Sequence, residues 1–290
     1  MAASDFRVQY MSDLHLELFP GFRIAPEDVA ASVLLLAGDI GDPGSDEYRA
    51  FMLDCALKFE AVYVVLGNHE GYGRSWDEAL RLASSACLNA SASAQASSSV
   101  TLLDRGSATV PPRLTGGRRI RVLGATLWSR VSPSDAYEVG CFIADYRRIE
   151  GVRSVADTNA MHAADVAWLR AELSLLEAAA EGENACDGII VLTHHAPSMR
   201  GTSRKEHEGG PLNGAFATAL DDLVDRPGVL AWVHGHTHHS HETRRPANGA
   251  VLCANQRGYA YEGAAAGFDA RRTVAVAGTN GLPLRSKEAH

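Results

Sequence analysis

Val33-Leu34-Leu35-Leu36-Ala37-Gly38-Asp39 is an unbroken apolar run that ends on a glycine and a carboxylate. A short run without polar alternation reads as a strand buried on both faces, and such strands belong to sheets covered by helices. The same pattern recurs along the chain. Residues 7–11 lead into Ser12-Asp13-Leu14-His15, residues 62–66 into Gly67-Asn68-His69-Glu70, and residues 189–193 into His194-His195. Residues 230–233 lead into His234-Gly235-His236-Thr237-His238, while 120–125 and 251–254 are apolar runs without such an ending.

Helical patterns lie between some of these strands. In residues 161–180, Val166, Leu169, Leu173 and Leu176 fall on one face, and Gly182 follows as a stop. A second helix is expected over 75–88, running into an Ala/Ser-rich stretch, 89–99, that reads as a loop or a frayed helix end. Strands alternating with helices, then strands in closer succession, predict a layered α/β domain. A chain of 290 residues with 46% hydrophobic and 21% charged residues has ample material for one core, so a single domain over 1–290 is expected.

The formal charge of -8 gives no positive field to gather a polyanion such as long DNA or RNA, so nucleic acid is an unlikely partner and small phosphate esters remain open. No stretch has the roughly 18 apolar residues of a membrane span, and the first seven residues contain no apolar targeting segment. No membrane association and a cytoplasmic location are expected. The five cysteines are scattered singly, which speaks against a disulfide framework or a thiolate metal site.

In α/β sheets, ligands bind beyond the carboxyl ends of the strands. If the runs above are parallel neighbours, their ends bring Asp13, His15, Asp39, Asn68, His194, His236 and His238 around one cavity, enough donors for two metal ions sharing one carboxylate. The i, i+2 spacing of Asp13 and His15, and of His236 and His238, lets each pair aim into one pocket where the backbone curls after a strand. All donors are nitrogen or oxygen, which favours Mn, Fe or Zn. Two such ions can hold a bridging hydroxide and both sides of an in-line displacement at phosphorus. Alone, each motif is weak: Asp-x-His is common, Gly-Asp is often a turn, and a His-rich tract can lie at the surface. Their order, each after a strand, makes the combination specific.

The ordered blocks Asp13-Leu14-His15, Gly38-Asp39, Gly67-Asn68-His69-Glu70, His194 and Gly235-His236-Thr237-His238 resemble the signature of the calcineurin-like metallophosphoesterase superfamily. The outer blocks Leu127-Trp128, Asp145-Tyr146-Arg147-Arg148-Ile149 and Asn255-Gln256-Arg257-Gly258-Tyr259 look like a prokaryotic and fungal branch of it. The resemblance implies an α/β fold, a four-layer β-sandwich of two mixed sheets flanked by helices. It implies one metal held by Asp13, His15, Asp39 and His238, and a second held by Asp39, Asn68, His194 and His236. His69 would stand unligated near the leaving-group oxygen, as proton donor or charge stabiliser. Of the adjacent pair His194 and His195, one can follow the strand into the site, and His194 is the expected ligand.

His195, Asn68, Arg147 and Arg257 are the expected substrate contacts, the arginines because a guanidinium offers phosphate a bidentate fork. Protein Ser/Thr phosphatases of the superfamily carry Gly after D-x-H and D-R-G after GD. Here Leu16 and Gly41-Asp42-Pro43 stand instead, which disfavours a phosphoprotein phosphatase. Residues 198–214 are expected to form a flap beside the site. The expected function is hydrolysis of phosphate mono- or diesters. A nuclease and a non-catalytic, metal-stabilised scaffold are the rival readings.

Overall fold

Eleven strands, most of them the apolar runs, assemble into two sheets in the computed structural model, which describes residues 6–94, 98–179, 182, 185–259, 262 and 267–276. The first sheet contains β1 (Arg7–Met11), β2 (Val33–Ala37), β3 (Ala61–Val65), β4 (Ser99–Leu102) and β11 (Thr273–Ala275), in the order β11-β1-β2-β3-β4. The second contains β5 (Gly106–Thr109), β6 (Ile120–Ala125), β7 (Gly188–Thr193), β8 (Val229–His234), β9 (His241–Arg244) and β10 (Val251–Ala254), in the order β5-β6-β7-β8-β10-β9. Both are mixed: β11 pairs antiparallel with β1, and β5 and β9 are antiparallel edges around four parallel strands.

Because successive side chains point to opposite faces of a strand, each apolar run serves two cores. Val8, Leu35 and Val65 of the first sheet meet Val122, Leu192 and Val233 of the second between the sheets. On the far side of the first sheet, Leu34, Leu36, Val62 and Val64 pack under the helices α1 (Asp46–Lys58) and α2 (Trp76–Ser93). Beyond the second sheet, Val191, Trp232 and Leu252 pack against Leu169, Leu173 and Leu176 of α5 (Val155–Ala178) and against α6 (Asp221–Val224). The result is the four-layer sandwich that the resemblance implied. Fully burying each of these Leu or Val side chains contributes roughly 1.5–3 kcal/mol.

Helix boundaries follow their caps. Ser75 accepts a hydrogen bond from Glu78 N–H and starts α2, which then runs five residues past the expected 88, with Ala86 and Ala90 buried. Ser91 Oγ accepts the Val100 N–H at 2.8 Å, tying the helix end to β4; of the Ala/Ser-rich stretch, 89–93 are helix and Ser99 opens β4, while 95–97 lie outside the described residues. Helix α5 begins before residue 161 because Ser154 and Asp157 form a capping box upstream of the apolar periodicity. Two short helices, α3 (Ala136–Phe142) and α4 (Asp145–Arg148), lie between β6 and α5. Cys55, Cys87, Cys186 and Cys253 are buried and unpaired, and Cys141 is exposed.

The carboxyl ends of β1, β2 and β3 meet those of β7 and β8 along one edge of the sandwich. Two hydrogen bonds join the sheets there: His194 Nδ1 donates to Ala37 O at 2.8 Å, and Thr126 Oγ1 donates to Leu66 O at 2.8 Å. No helix among the described residues is long and apolar enough to cross a membrane.

Candidate metal centre

The chain curls sharply where the strands end. Asp13, His15, Asp39, His236 and His238 all have positive φ, between 48° and 70°. That region is unfavourable for residues with a Cβ, and such strain gathers where surrounding structure enforces it, often at functional sites. Gly67 and Gly235 allow close approach: a Cβ on Gly235 would lie 2.7 Å from Asp13 Oδ2, and one on Gly67 2.6 Å from Asp39 N. Glu70, fully buried, braces the turn after β2, accepting hydrogen bonds from the N–H groups of Asp39 (3.1 Å), Ile40 (2.7 Å) and Gly67 (2.7 Å).

Among the described residues three groups of donors result, one of them His15, Glu17 and His69, and the other two at the ends of the strands. In the first of these two, Asp13, His15 and His238 bring one ligand atom each within 4.8 Å of one another. His15 Nε2 lies 3.2 Å from His238 Nε2, which is 3.3 Å from Asp13 Oδ1. The other ring nitrogens face carboxylates: His15 Nδ1 is 3.2 Å from Glu17 Oε1 and His238 Nδ1 is 2.6 Å from Glu262 Oε2. Protons therefore sit on the Nδ1 atoms, and the two Nε2 atoms face each other beside a carboxylate. In the second group, Asp39, His194 and His236 converge in the same way. His194 donates its Nδ1 proton to Ala37 O, which turns its Nε2 inward, 3.1 Å from Asn68 Oδ1 and 3.5 Å from Asp39 Oδ1.

Nitrogen and oxygen donors crowded together in a buried site favour a positive charge between them, proton or metal, and the donor set fits Mn, Fe or Zn. The same need is visible in the acid–base balance. Burial alone would lower His238, but Asp13 and Glu262 hold its imidazole up to about 10, and Asp39 and Asp13 hold His194 at about 9. Asp39 stands between the groups, with Oδ1 toward His194 and Oδ2 4.0 Å from His15 Nε2.

Around the donors, three groups are set by contacts far apart in sequence. Asp145, buried, accepts Asn68 Nδ2–H and the Tyr72 hydroxyl, both at 2.8 Å, and so turns Asn68 Oδ1 toward His194. Glu17 Oε1 is 3.0 Å from His69 Nδ1 as well as near His15, and the Tyr259 hydroxyl lies 2.9 Å from His69 Nε2. Glu17, Glu70, Asp145, Tyr259 and Glu262 were not singled out from sequence. Of these, Glu70, Asp145 and Tyr259 carried some signal, each lying inside a block with family resemblance.

The structure brings Asp13, His15, Asp39, Asn68, His194, His236 and His238 together, with His69 beside them. Of the histidine pair, His194 faces Asp39. His195 lies behind His236, ring centroids 4.0 Å apart, with Nδ1 2.9 Å from Ser129 Oγ. The two arginines are elsewhere. Arg147 is exposed and donates to Cys141 O at 2.8 Å, while Arg257 donates to Leu14 O at 3.2 Å and lies over the Phe22 ring. None of His195, Arg147 and Arg257 lines the cavity above the donors, whereas Ser203, Glu206, Leu212 and Asn213 of segment 198–214 do.

Two mixed sheets with helices outside, and candidate metal donors at their joined strand ends, define the metallophosphoesterase fold. The family of calcineurin-like phosphoesterases matches residues 6–240, and the chain belongs to it. An uncharacterized protein of Acanthamoeba polyphaga mimivirus, L509, is 26% identical over 285 residues, covering 88% of this chain and 92% of that protein. The solved structure of the phosphopantetheinyl hydrolase PptH from Mycobacterium tuberculosis is similar in fold, with a TM-score of 0.59 and 16% identity over 90% of this chain and 92% of that one.

Proposed function

We propose that the protein hydrolyses phosphate mono- or diesters with two divalent metal ions, one held by Asp13, His15, Asp39 and His238, the other by Asp39, Asn68, His194 and His236. The observation that carries this reading is the position of Asp39, whose two carboxylate oxygens face different donor groups. Bound ions of this kind polarise phosphoryl oxygens and lower the pKa of an attacking water.

The chain's own residues supply the rest. His69 Nε2, with the Tyr259 hydroxyl beside it, lines the cavity and can pass a proton to the departing oxygen. Glu17 fixes the ring through Nδ1, as carboxylates commonly orient functional imidazoles. Asp145 orients the Asn68 amide.

Chelator-stripped protein would be assayed on p-nitrophenyl phosphate and bis-p-nitrophenyl phosphate, with Mn, Zn, Mg or no metal restored, beside Asp39→Asn. Metal-restored hydrolysis that vanishes in the variant is expected, and the faster ester separates monoesterase from diesterase. Hydrolysis indifferent to metal, or none with any metal, refutes the reading.

A further inference from the structure

The cavity above the donors, about 520 Å³, has two unlike halves. Its floor is Asp39, Asn68, His236 and His238, and its wall includes Phe142, Ile143, Pro211, Leu212 and Phe216. Phe142 is 66% exposed, an aromatic face left in water beside the opening. Among the described residues no lysine or arginine lines this space. Beyond the floor its charged side chains include the carboxylates of Asp145, Glu206 and Glu262. Arg204 and Lys205 belong to the same wall segment as Glu206 yet are not among the lining residues.

We propose that the substrate is a phosphate ester whose organic part is apolar and carries no negative charge, with phosphate on the donor floor and the organic group against Phe142 and Leu212. This assignment rests on the phosphoesterase reading above. An apolar group gains by leaving water for the Phe142 and Leu212 side, whereas a second phosphate or a carboxylate would find carboxylates, and no lysine or arginine, among the lining residues.

The test uses the full, Mn-loaded chain and three diesters sharing p-nitrophenolate as leaving group, with methyl, phenyl or 4-carboxyphenyl as the second ester group. Each kcat/KM is divided by that ester's rate with hydroxide alone. The phenyl ester should exceed the methyl ester by roughly ten-fold or more, as expected for burying an aromatic ring, and should exceed the 4-carboxyphenyl ester similarly. Phe142→Ser, at an exposed position, and Leu212→Ser should each shrink the phenyl-to-methyl ratio. Equal rates for all three esters, preference for the carboxylate, or ratios untouched by both variants overturn the proposal while leaving the phosphoesterase reading intact. No hydrolysis of any ester removes that reading, and this one with it.

Discussion

Asp145 holds the Asn68 amide from behind: its carboxylate accepts the Nδ2 proton at 2.8 Å, and Asn68 Oδ1 is thereby turned to His194 Nε2, 3.1 Å away. An unanchored amide could present either end to a cation, and only the oxygen is a ligand. Asp145→Ala is therefore expected to weaken metal binding about 10- to 100-fold, the usual loss when such a supporting partner is removed. Isothermal titration of Mn into stripped protein reads it. Unchanged affinity would leave Asp145 a structural residue of the cavity wall only.

His69 is braced on both ring nitrogens, by Glu17 at 3.0 Å and Tyr259 at 2.9 Å. Its replacement separates an enzyme from a metal-stabilised scaffold. His69→Ala should lower kcat by ~10² to 10⁴ fold if it acts as general acid, with metal content by mass spectrometry unchanged. Loss of metal together with rate would make His69 a ligand instead.

Glu70 ties two motifs together by accepting backbone N–H groups from both. Glu70→Gln places an amide NH₂ where only acceptors fit, leaving buried N–H groups facing a donor. The expected loss is about 1–3 kcal/mol or more, seen as a lower Tm in a calorimetric scan. A Tm equal to the parent's would mean that Glu70 is protonated and already donates.

Gly235 admits no side chain: a Cβ there would approach Asp13 Oδ2 at 2.7 Å and Ala37 O at 2.8 Å. Gly235→Ala should push Asp13 out of line, lowering metal occupancy more than the same change at Gly140, where a Cβ would meet nothing within 4 Å. Equal occupancy in the two variants contradicts this.

The strands that carry the site were legible because burial on both faces leaves a continuous apolar run, as in Val33–Ala37. The short strands β4, β5, β9 and β11 were not. Ser99–Leu102 and Gly106–Thr109 contain Ser, Thr and Gly, and His241–Arg244 is largely exposed, so pairing with neighbours rather than composition makes them strands. Within the site, residues next to a strand end could be read because the strand fixes where they point. The role of Asp145 could not, since its contact with Asn68 spans 77 residues and depends on how α4 is docked. Arg147 and Arg257 show the converse. Residue type made them expected phosphate contacts; in the structure their guanidinium groups donate to the carbonyls of Cys141 and Leu14.

The most direct test of a two-ion centre shared through Asp39 is to titrate Mn into chelator-stripped protein while following bis-p-nitrophenyl phosphate hydrolysis. The rate should rise until two equivalents per chain are present, with Asp39→Asn flat throughout. A rate that saturates at one equivalent, or an Asp39→Asn variant that keeps pace with the parent, would contradict the shared centre.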